Sequence, residues 1–213
     1  MRPLLYKELC LAAHPTLYLF LWMGALLLVP AYPYGVVFFF GMLALFFTFQ
    51  FSRENRDGEY TVLLPLRKAD VVKGKCLLAG FVQLGLLLLS VPFALMGPWV
   101  HPQGNPVGLE ANVAYYGFGL LIFAVFNGVF FPQFYRTGYR VERAFLLAVI
   151  PAGLCIVAME ALAHVPALAW LDGVEPAGLV RQLPLLLVGA VVYGVGMVCT
   201  YRTAARRFEG VDL

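Results

Sequence analysis

Residues 9–52 form a long stretch of the chain without a single Asp, Glu, Lys or Arg. An α-helix needs roughly 20 mostly apolar residues to cross a bilayer, so this stretch has room for two crossings. Pro30 and Pro33 lie near its middle, and two prolines so close together favour a turn there. The stretch therefore predicts two membrane-spanning helices joined by a short turn.

The rest of the chain is apolar as well. Hydrophobic residues make up 62% of the sequence and charged residues only 13%, whereas a soluble domain is about a quarter charged. A soluble protein of this size would expose a large part of that apolar surface to water. We therefore predict an all-α integral membrane protein, a single domain over residues 1–213 with six transmembrane helices. The predicted spans are 11–29, 33–51, 76–96, 113–131 (ending at Pro132), 144–163 and 182–201.

The positive charges test this number of spans, because Lys and Arg collect in cytoplasmic loops. With six spans, 14 of the 15 basic residues fall on one side, and the exception is Arg181. A missed or an invented span would scramble this division. The distribution predicts a multi-pass protein of the cell membrane with both termini in the cytoplasm.

The segment between spans two and three, residues 52–75, is the most distinctive loop. It begins with charges of both signs, continues into a short apolar patch at 62–66, and reaches Asp70, which we expect to cap the helix of span three. Two interpretations are open from the residues alone. The loop is either a small amphipathic element lying across the membrane face or a basic loop that only fixes the topology.

Four segments resemble the ABC-2 type permeases, in particular the short family with six spans and no fused ATPase. Residues 53–75 carry an acidic, amide-rich start, a Leu-Pro-Leu-Arg-Lys-Ala-Asp-Val-Val run and a basic residue opening span three. Residues 131–140 are similar to the family's Pro-aromatic-basic-Gly-Tyr turn after span four. Residues 206–213 are similar to its basic-aromatic-acidic ending, and residues 5–9 fit its opening helix. The resemblance covers the whole chain in order and spacing.

The resemblance implies a permease subunit of an ATP-driven exporter. It implies a second permease subunit, the same or a similar chain, and cytoplasmic ABC ATPase subunits that dock on the loop between spans two and three. It also implies that residues 1–10 form an interfacial helix, with Leu4, Leu5 and Leu9 in lipid and Lys7 toward water. The docking contacts are then expected among Glu54, Asp57, Glu59, Tyr60, Leu64, Arg67 and Asp70.

Nucleotide chemistry would require a G-x-x-x-x-G-K-[ST] loop. The nearest match, Gly74-Lys75, has Ala69 in place of the first glycine and Cys76 after the lysine. We therefore expect no cofactor and no catalytic site on this chain, with ATP and Mg²⁺ held by the partner ATPase. No metal site and no nucleic-acid partner are expected either.

Few polar residues lie inside the spans, and three are candidates for a substrate pathway: Gln83, Asn127 and Glu160. Glu160 and His164 are four residues apart and so share a helix face, where they could hold a metal ion or relay protons. Alternatively, Glu160 lies in outer-leaflet water or pairs with Arg181. Asn127 could instead hydrogen-bond between helices, which is the more common role of such residues.

Three functions are compatible with these features. The first is export of an amphipathic substrate such as a peptide, lipid or drug. The second is a non-transporting membrane partner of an ABC ATPase, for example a regulatory or immunity subunit. The third is a membrane-embedded enzyme, such as an intramembrane protease, which is disfavoured because such enzymes need paired carboxylates and histidines within the spans and this chain has essentially one acid there.

Overall fold

The computed structural model describes residues 6–29, 32–57, 67–137 and 140–210, without the side chains of residues 11 and 12. Within these ranges the chain is helical and forms no strand. Five helices are long and apolar enough to cross a membrane. They are α2 (Val36–Glu54), α3 (Lys68–Val100), α4 (Val113–Arg136), α5 (Val141–Leu162) and α6 (Pro176–Glu209). These helices correspond to predicted spans two to six, which are thereby confirmed as long apolar helices.

The first predicted span, 11–29, is not one continuous α-helix. A π-helical turn, Glu8–Ala12, is followed by the short helix α1 (Thr16–Leu21) and then by a 3₁₀ helix, Trp22–Leu28. With rises of about 1.5 and 2.0 Å per residue, the last two cover roughly 23 Å, less than the roughly 30 Å of hydrocarbon in a bilayer. A methyl group on Gly24 would lie 2.6 Å from Cβ of Ser90, so this segment packs closely against α3.

Proline does not end the helices where the sequence suggested. We expected α4 to end at Pro132, but it continues to Arg136, so that prediction was wrong. Proline lacks a backbone N–H, so Pro132 removes one hydrogen bond from α4. The helix continues for one more turn after it. Arg207 of α6 donates a hydrogen bond to the Pro132 carbonyl at 2.9 Å and supports this last turn. The helix α3 likewise continues through Pro92, which was expected to produce no more than a kink.

The helix α4 lies at the centre of the bundle. Its Phe130 and Phe134 pack with Phe49 of α2, at ring-centroid distances of 5.1 and 4.9 Å. Against α6 the approach is closer still, because a methyl group on Gly189 would lie 2.5 Å from the Gly117 carbonyl oxygen. Aromatic rings therefore fill the space between α4 and α2, and small residues let α4 and α6 approach closely.

Contacts at the helix termini define two ends of the bundle. At the first, Arg53 at the end of α2 pairs with Glu142 at the start of α5, with Nη2 and Oε1 2.8 Å apart. At the second, Glu160 near the end of α5 contacts Gly35 at the start of α2. We call the first the basic end, because nearly all the positive side chains of the described residues lie there. We call the second the opposite end. The five long helices therefore alternate in direction, as the distribution of charges predicted.

Candidate functional site

Four charged side chains meet at the basic end and form what we call the charge cluster: Lys7, Glu8, Asp57 and Lys75. Nζ of Lys75 lies 2.7 Å from Oε2 of Glu8 and 3.2 Å from Oδ2 of Asp57. Nζ of Lys7 lies 2.6 Å from Oδ1 of Asp57 and 3.3 Å from Oε1 of Glu8. Two positive and two negative groups therefore alternate around the cluster.

The cluster joins three parts of the chain. Glu8 comes from the N-terminal π-helical turn, Asp57 follows α2, and Lys75 is on α3. Ser52 of α2 adds a hydroxyl that donates to Asp57 Oδ2 at 3.0 Å and accepts from Lys75 Nζ at 3.0 Å. Asp57, the last described residue before the gap in the predicted docking loop, is therefore attached to the N-terminal segment and to α3.

The charge cluster is shielded from solvent. The side chain of Glu8 is 0% exposed and that of Lys75 is 6% exposed. Burial raises the pKa of Asp57, but the charge of Lys75, followed by the hydrogen bond and charge of Lys7, more than offsets this and holds that pKa below its ordinary value. Breaking a buried pair by removing one partner is costly, because it leaves the other charge without compensation.

The predicted docking residues divide into four groups. Glu54 and Arg67 are exposed at the basic end, Arg67 with 88% of its side chain, whereas Asp57 is engaged in the charge cluster. Asp70 is partly exposed, and its Oδ2 lies 3.3 Å from Nε of Arg67. Glu59, Tyr60 and Leu64, together with the apolar patch at 62–66, lie outside the described residues.

Two local predictions at this end were wrong. Asp70 does not cap α3, because the helix begins at Lys68 and Arg67 takes the cap position, which leaves Asp70 in the first turn. Lys7 does not point freely toward water, because it pairs with Asp57 and is only 19% exposed. Leu4 and Leu5 lie outside the described residues, and Leu9 is partly buried.

A groove of about 630 Å³ opens beside the loop, between the start of α3 and the end of α6. Both charge signs line it, since Lys68, Lys73 and Arg67 face Asp70 and Glu209. Lys68 Nζ also lies 5.5 Å from the centre of the Phe208 ring. The groove offers a partner protein a mixed, solvent-facing surface next to the predicted docking loop.

Two of the predicted pathway residues are bonded to each other inside the bundle. Gln83 of α3 and Asn127 of α4 exchange two amide hydrogen bonds, both 2.8 Å long. Tyr193 of α6, which the sequence analysis did not single out, donates to Oε1 of Gln83 at 2.8 Å. All three are buried. They therefore tie three helices together, the interhelical role that had been weighed for Asn127.

In the described part of the chain, Glu160 binds backbone groups rather than Arg181. Its Oε1 accepts from the Gly35 N–H at 2.6 Å and its Oε2 from the Leu109 N–H at 3.0 Å. The His164 ring bonds to the Val107 carbonyl at 3.0 Å. Glu160 thus satisfies one of the free N–H groups at the start of α2 and fixes the loop that follows α3. Among the described residues, no group of three or more His, Cys, Asp or Glu could hold a metal ion.

The loops at the opposite end contain further polar contacts that the sequence analysis missed. Gln182 Oε1 accepts from the Ala114 N–H at 3.1 Å, while its Nε2 donates to the carbonyls of Trp170, Leu171 and Gly173. Glu110 accepts from the Asn105 N–H, and its own N–H donates to Asp172 at 2.8 Å. Burial raises the pKa of Glu110, and the nearby charge of Asp172 raises it further. These contacts fasten the loop before α4 to the segment before α6.

Three members of the charge cluster, Lys7, Glu8 and Lys75, were not predicted as site residues. For Glu8 and Lys75 the available signal was an acid just before one apolar span and a lysine directly before another. Charges in such places need a partner. The sequence could show that each needed one, but not that each would find the other.

A family model described as an ABC-2 family transporter protein matches residues 3–203 of this chain. No curated protein and no solved structure matches it. The matched range contains all five long apolar helices except the last turns of α6, the charge cluster and the predicted docking loop.

Proposed function

The chain belongs to the ABC-2 family of transporter membrane proteins, and we propose that it is the permease subunit of an ATP-driven exporter. Five long apolar helices make it a multi-pass membrane protein, and its family is the non-catalytic membrane component of a transporter. In this proposal a separate cytoplasmic ATPase holds ATP and Mg²⁺, and the membrane subunit moves an amphipathic peptide, lipid or drug.

We place a sixth crossing at residues 8–28. Glu8 pairs with Lys75 near the start of α3, at the basic end. The Leu28 carbonyl bonds to the His101 ring just after the end of α3, at 2.6 Å. These two contacts lie toward opposite ends of α3, which is 33 residues long. They support six crossings with both termini on the basic side, which the positive-inside rule places in the cytoplasm of the cell.

The observation that carries the coupling proposal is the charge cluster at the base of the docking loop. An ATPase that grips residues 52–75 would move α2, α3 and the N-terminal segment together, because the cluster joins all three. Glu54, Arg67 and Asp70, with Glu59, Tyr60 and Leu64, are the proposed docking contacts, and the groove between α3 and α6 extends that surface. Asp57 transmits the motion from inside the cluster.

A second permease subunit completes the proposed transporter. The interior of one copy is filled by rings and by the Gln83–Asn127 pair, so a pathway between two copies fits the packing better than one through a single bundle. The helix α6 leaves most of its apolar length exposed, including Leu187 and Val191. Lipid covers part of that surface, and a second copy or a similar chain covers the rest.

The test is recovery of an ATPase with the affinity-tagged chain. We expect R67E to lower the yield of the complex by roughly tenfold, as a reversed charge at an interface does, while the protein still inserts into the membrane. R181E is the matched control, because Arg181 is exposed on α6 at the opposite end. Equal yields from R67E and R181E would contradict docking on this loop.

Stimulation of the ATPase by substrate separates export from a regulatory or immunity role. A transporter with two permease subunits should hydrolyse ATP faster when its cargo is added to proteoliposomes. A complex that assembles through Arg67 but never responds to any amphipathic peptide, lipid or drug would favour the non-transporting partner. A single permease bound to a single ATPase in native lipid would contradict the dimer.

A further inference from the structure

A pocket of about 380 Å³ lies at the basic end between the end of α4 and the start of α5. Its lining contains three arginines and no acidic residue. The lining residues are Gln133, Arg136, Thr137, Arg140, Arg143 and Leu147. A guanidinium group donates to phosphate oxygens in pairs, and the Gln133 side-chain amide adds a further donor. The chemistry of the lining is that of a phosphate site.

The positive charge of this pocket is not neutralised by the described part of the chain. Glu142, which lies between Arg140 and Arg143 in the sequence, instead pairs with Arg53, through two contacts of 2.8 and 2.9 Å. The neighbouring groove between α3 and α6 contains both Asp70 and Glu209. Of these two basic-end cavities, the one between α4 and α5 is therefore the one suited to an anion.

The pocket also continues into an apolar surface. Leu147 forms part of its wall and is partly exposed, and three exposed residues follow it on α5: Ile150, Leu154 and Val157. Their spacing of three and four residues places them on one face of the helix. A soluble phosphate would use the arginines alone, whereas a phospholipid would use the arginines for its headgroup and this face for an acyl chain.

We propose that this pocket binds the phosphate headgroup of an anionic phospholipid, with one acyl chain along the exposed face of α5. The location suits such a ligand, because the arginines follow the apolar part of α4 and precede that of α5, where headgroups lie. The lipid would hold the two helices at the connection between them. This inference does not depend on docking of an ATPase or on transport.

Lipid binding to the purified full-length protein in detergent tests the proposal. Native mass spectrometry should show phosphatidylglycerol retained more strongly than phosphatidylcholine. We expect R136Q/R140Q to weaken phosphatidylglycerol binding by roughly 30-fold, since each arginine near an anionic headgroup contributes about a fivefold effect. The control R202Q/R206Q removes the same charge from exposed positions on α6 and should change binding by less than about threefold.

Two further experiments test the proposal. The first distinguishes a lipid headgroup from soluble phosphate, and the second uses wild-type protein, so it does not depend on how the variants fold. Glycerol phosphate and inorganic phosphate should fail to displace the lipid, and displacement at comparable concentration would show a site for soluble phosphate instead. Phosphatidylglycerol with a photoreactive acyl chain should crosslink wild-type protein within residues 147–157. Crosslinks confined to other helices, or equal losses in the two double variants, would overturn the proposal.

Discussion

The two ends of the bundle are both fastened by carboxylates, but the carboxylates have different partners. At the basic end, Glu8 and Asp57 bind the ammonium groups of Lys7 and Lys75. At the opposite end, Glu160 binds the backbone N–H groups of two loops. One end is held by charges on side chains, and the other by hydrogen bonds to the main chain.

This difference bears on how the two ends can respond to a partner. Backbone N–H groups have fixed positions, so a carboxylate that accepts from two of them specifies one arrangement of its loops. Ion pairs between long side chains can exchange partners, since Lys has a flexible stem and three donors. We therefore expect the opposite end to keep its geometry, and the basic end to respond when a charged protein binds to it.

The largest effect should come from removing the lysine on which both acidic groups of the basic end converge. K75M leaves Glu8 fully buried beside Asp57 with one cation fewer, and we expect a loss of about 3–5 kcal/mol in the free energy of unfolding. Thermal unfolding in detergent measures it. Adding E8Q should recover part of the loss, because it removes the uncompensated charge.

K73M is the matched control for this prediction. Lys73 is on the same helix but only partly buried, and its loss should cost less than about 1 kcal/mol. Equal melting temperatures for K75M and K73M would show that the charge cluster does not stabilise the basic end. The contrast between the two ends would then not hold.

The second largest effect should come from the carboxylate that fixes the opposite end. E160A deprives the Gly35 and Leu109 N–H groups of their acceptor, and we expect a loss of about 3 kcal/mol. E175A, at an exposed acid of the same end with no described side-chain cap bond, should change the melting temperature little. Equal stability of the two variants would show that water replaces Glu160 without cost.

The long helices were predictable because their signal is local. A run of apolar residues between charged loops predicts a span wherever it occurs, and this worked for five of six spans. It failed to show that residues 16–28 divide into an α-helix and a 3₁₀ helix, because hydropathy does not depend on the hydrogen-bonding pattern. Likewise, Asp70 is a good capping residue by type, but the helix begins two residues before it.

The contacts of the candidate sites were not predictable, because each joins distant parts of the sequence. Glu160 was singled out as an acid within a span, but its partners at Gly35 and Leu109 are 125 and 51 residues away. Gln83 and Asn127 were each recognised as polar groups in apolar helices, and nothing local indicated that each is the partner of the other. Sequence alone shows which side chains need a partner, and the fold supplies it.

Lowering the pH should change the stability that Asp57 contributes at the basic end and that Glu110 contributes at the opposite end in opposite directions. The pKa of Asp57 is lowered in the folded protein, so its stabilising contribution is present above the ordinary carboxyl pKa and is lost as the pH falls through the lower, folded value. The pKa of Glu110 is raised by burial, so stability from that group is lost as the pH rises from its ordinary pKa through the folded one. D57N should therefore flatten the acid-side loss, and E110Q the loss at higher pH.

Melting temperature measured against pH in the same detergent tests the predicted direction of the stability change for both Asp57 and Glu110. Lys7, Lys75 and Ser52 face Asp57, while Asp172, His101 and Tyr34 are charged or titratable neighbours of Glu110. The wild-type curve contains both contributions, so only the differences between variant and wild type are informative. Parallel differences for D57N and E110Q would mean that the two carboxyl groups do not differ in environment.

The smallest effect should come from an ion pair at the basic end that is not buried. Arg53 and Glu142 form a two-contact pair, but their side chains are 35% and 50% exposed. Water competes for both groups, so R53Q should cost less than about 1 kcal/mol. A double-mutant cycle with E142Q measures the interaction free energy between the two side chains, separately from the effect of each single substitution. If that coupling equalled the one between Lys75 and Glu8, burial would not be what distinguishes the charge cluster. The basic end would then be held by its total charge rather than by one shielded group of side chains.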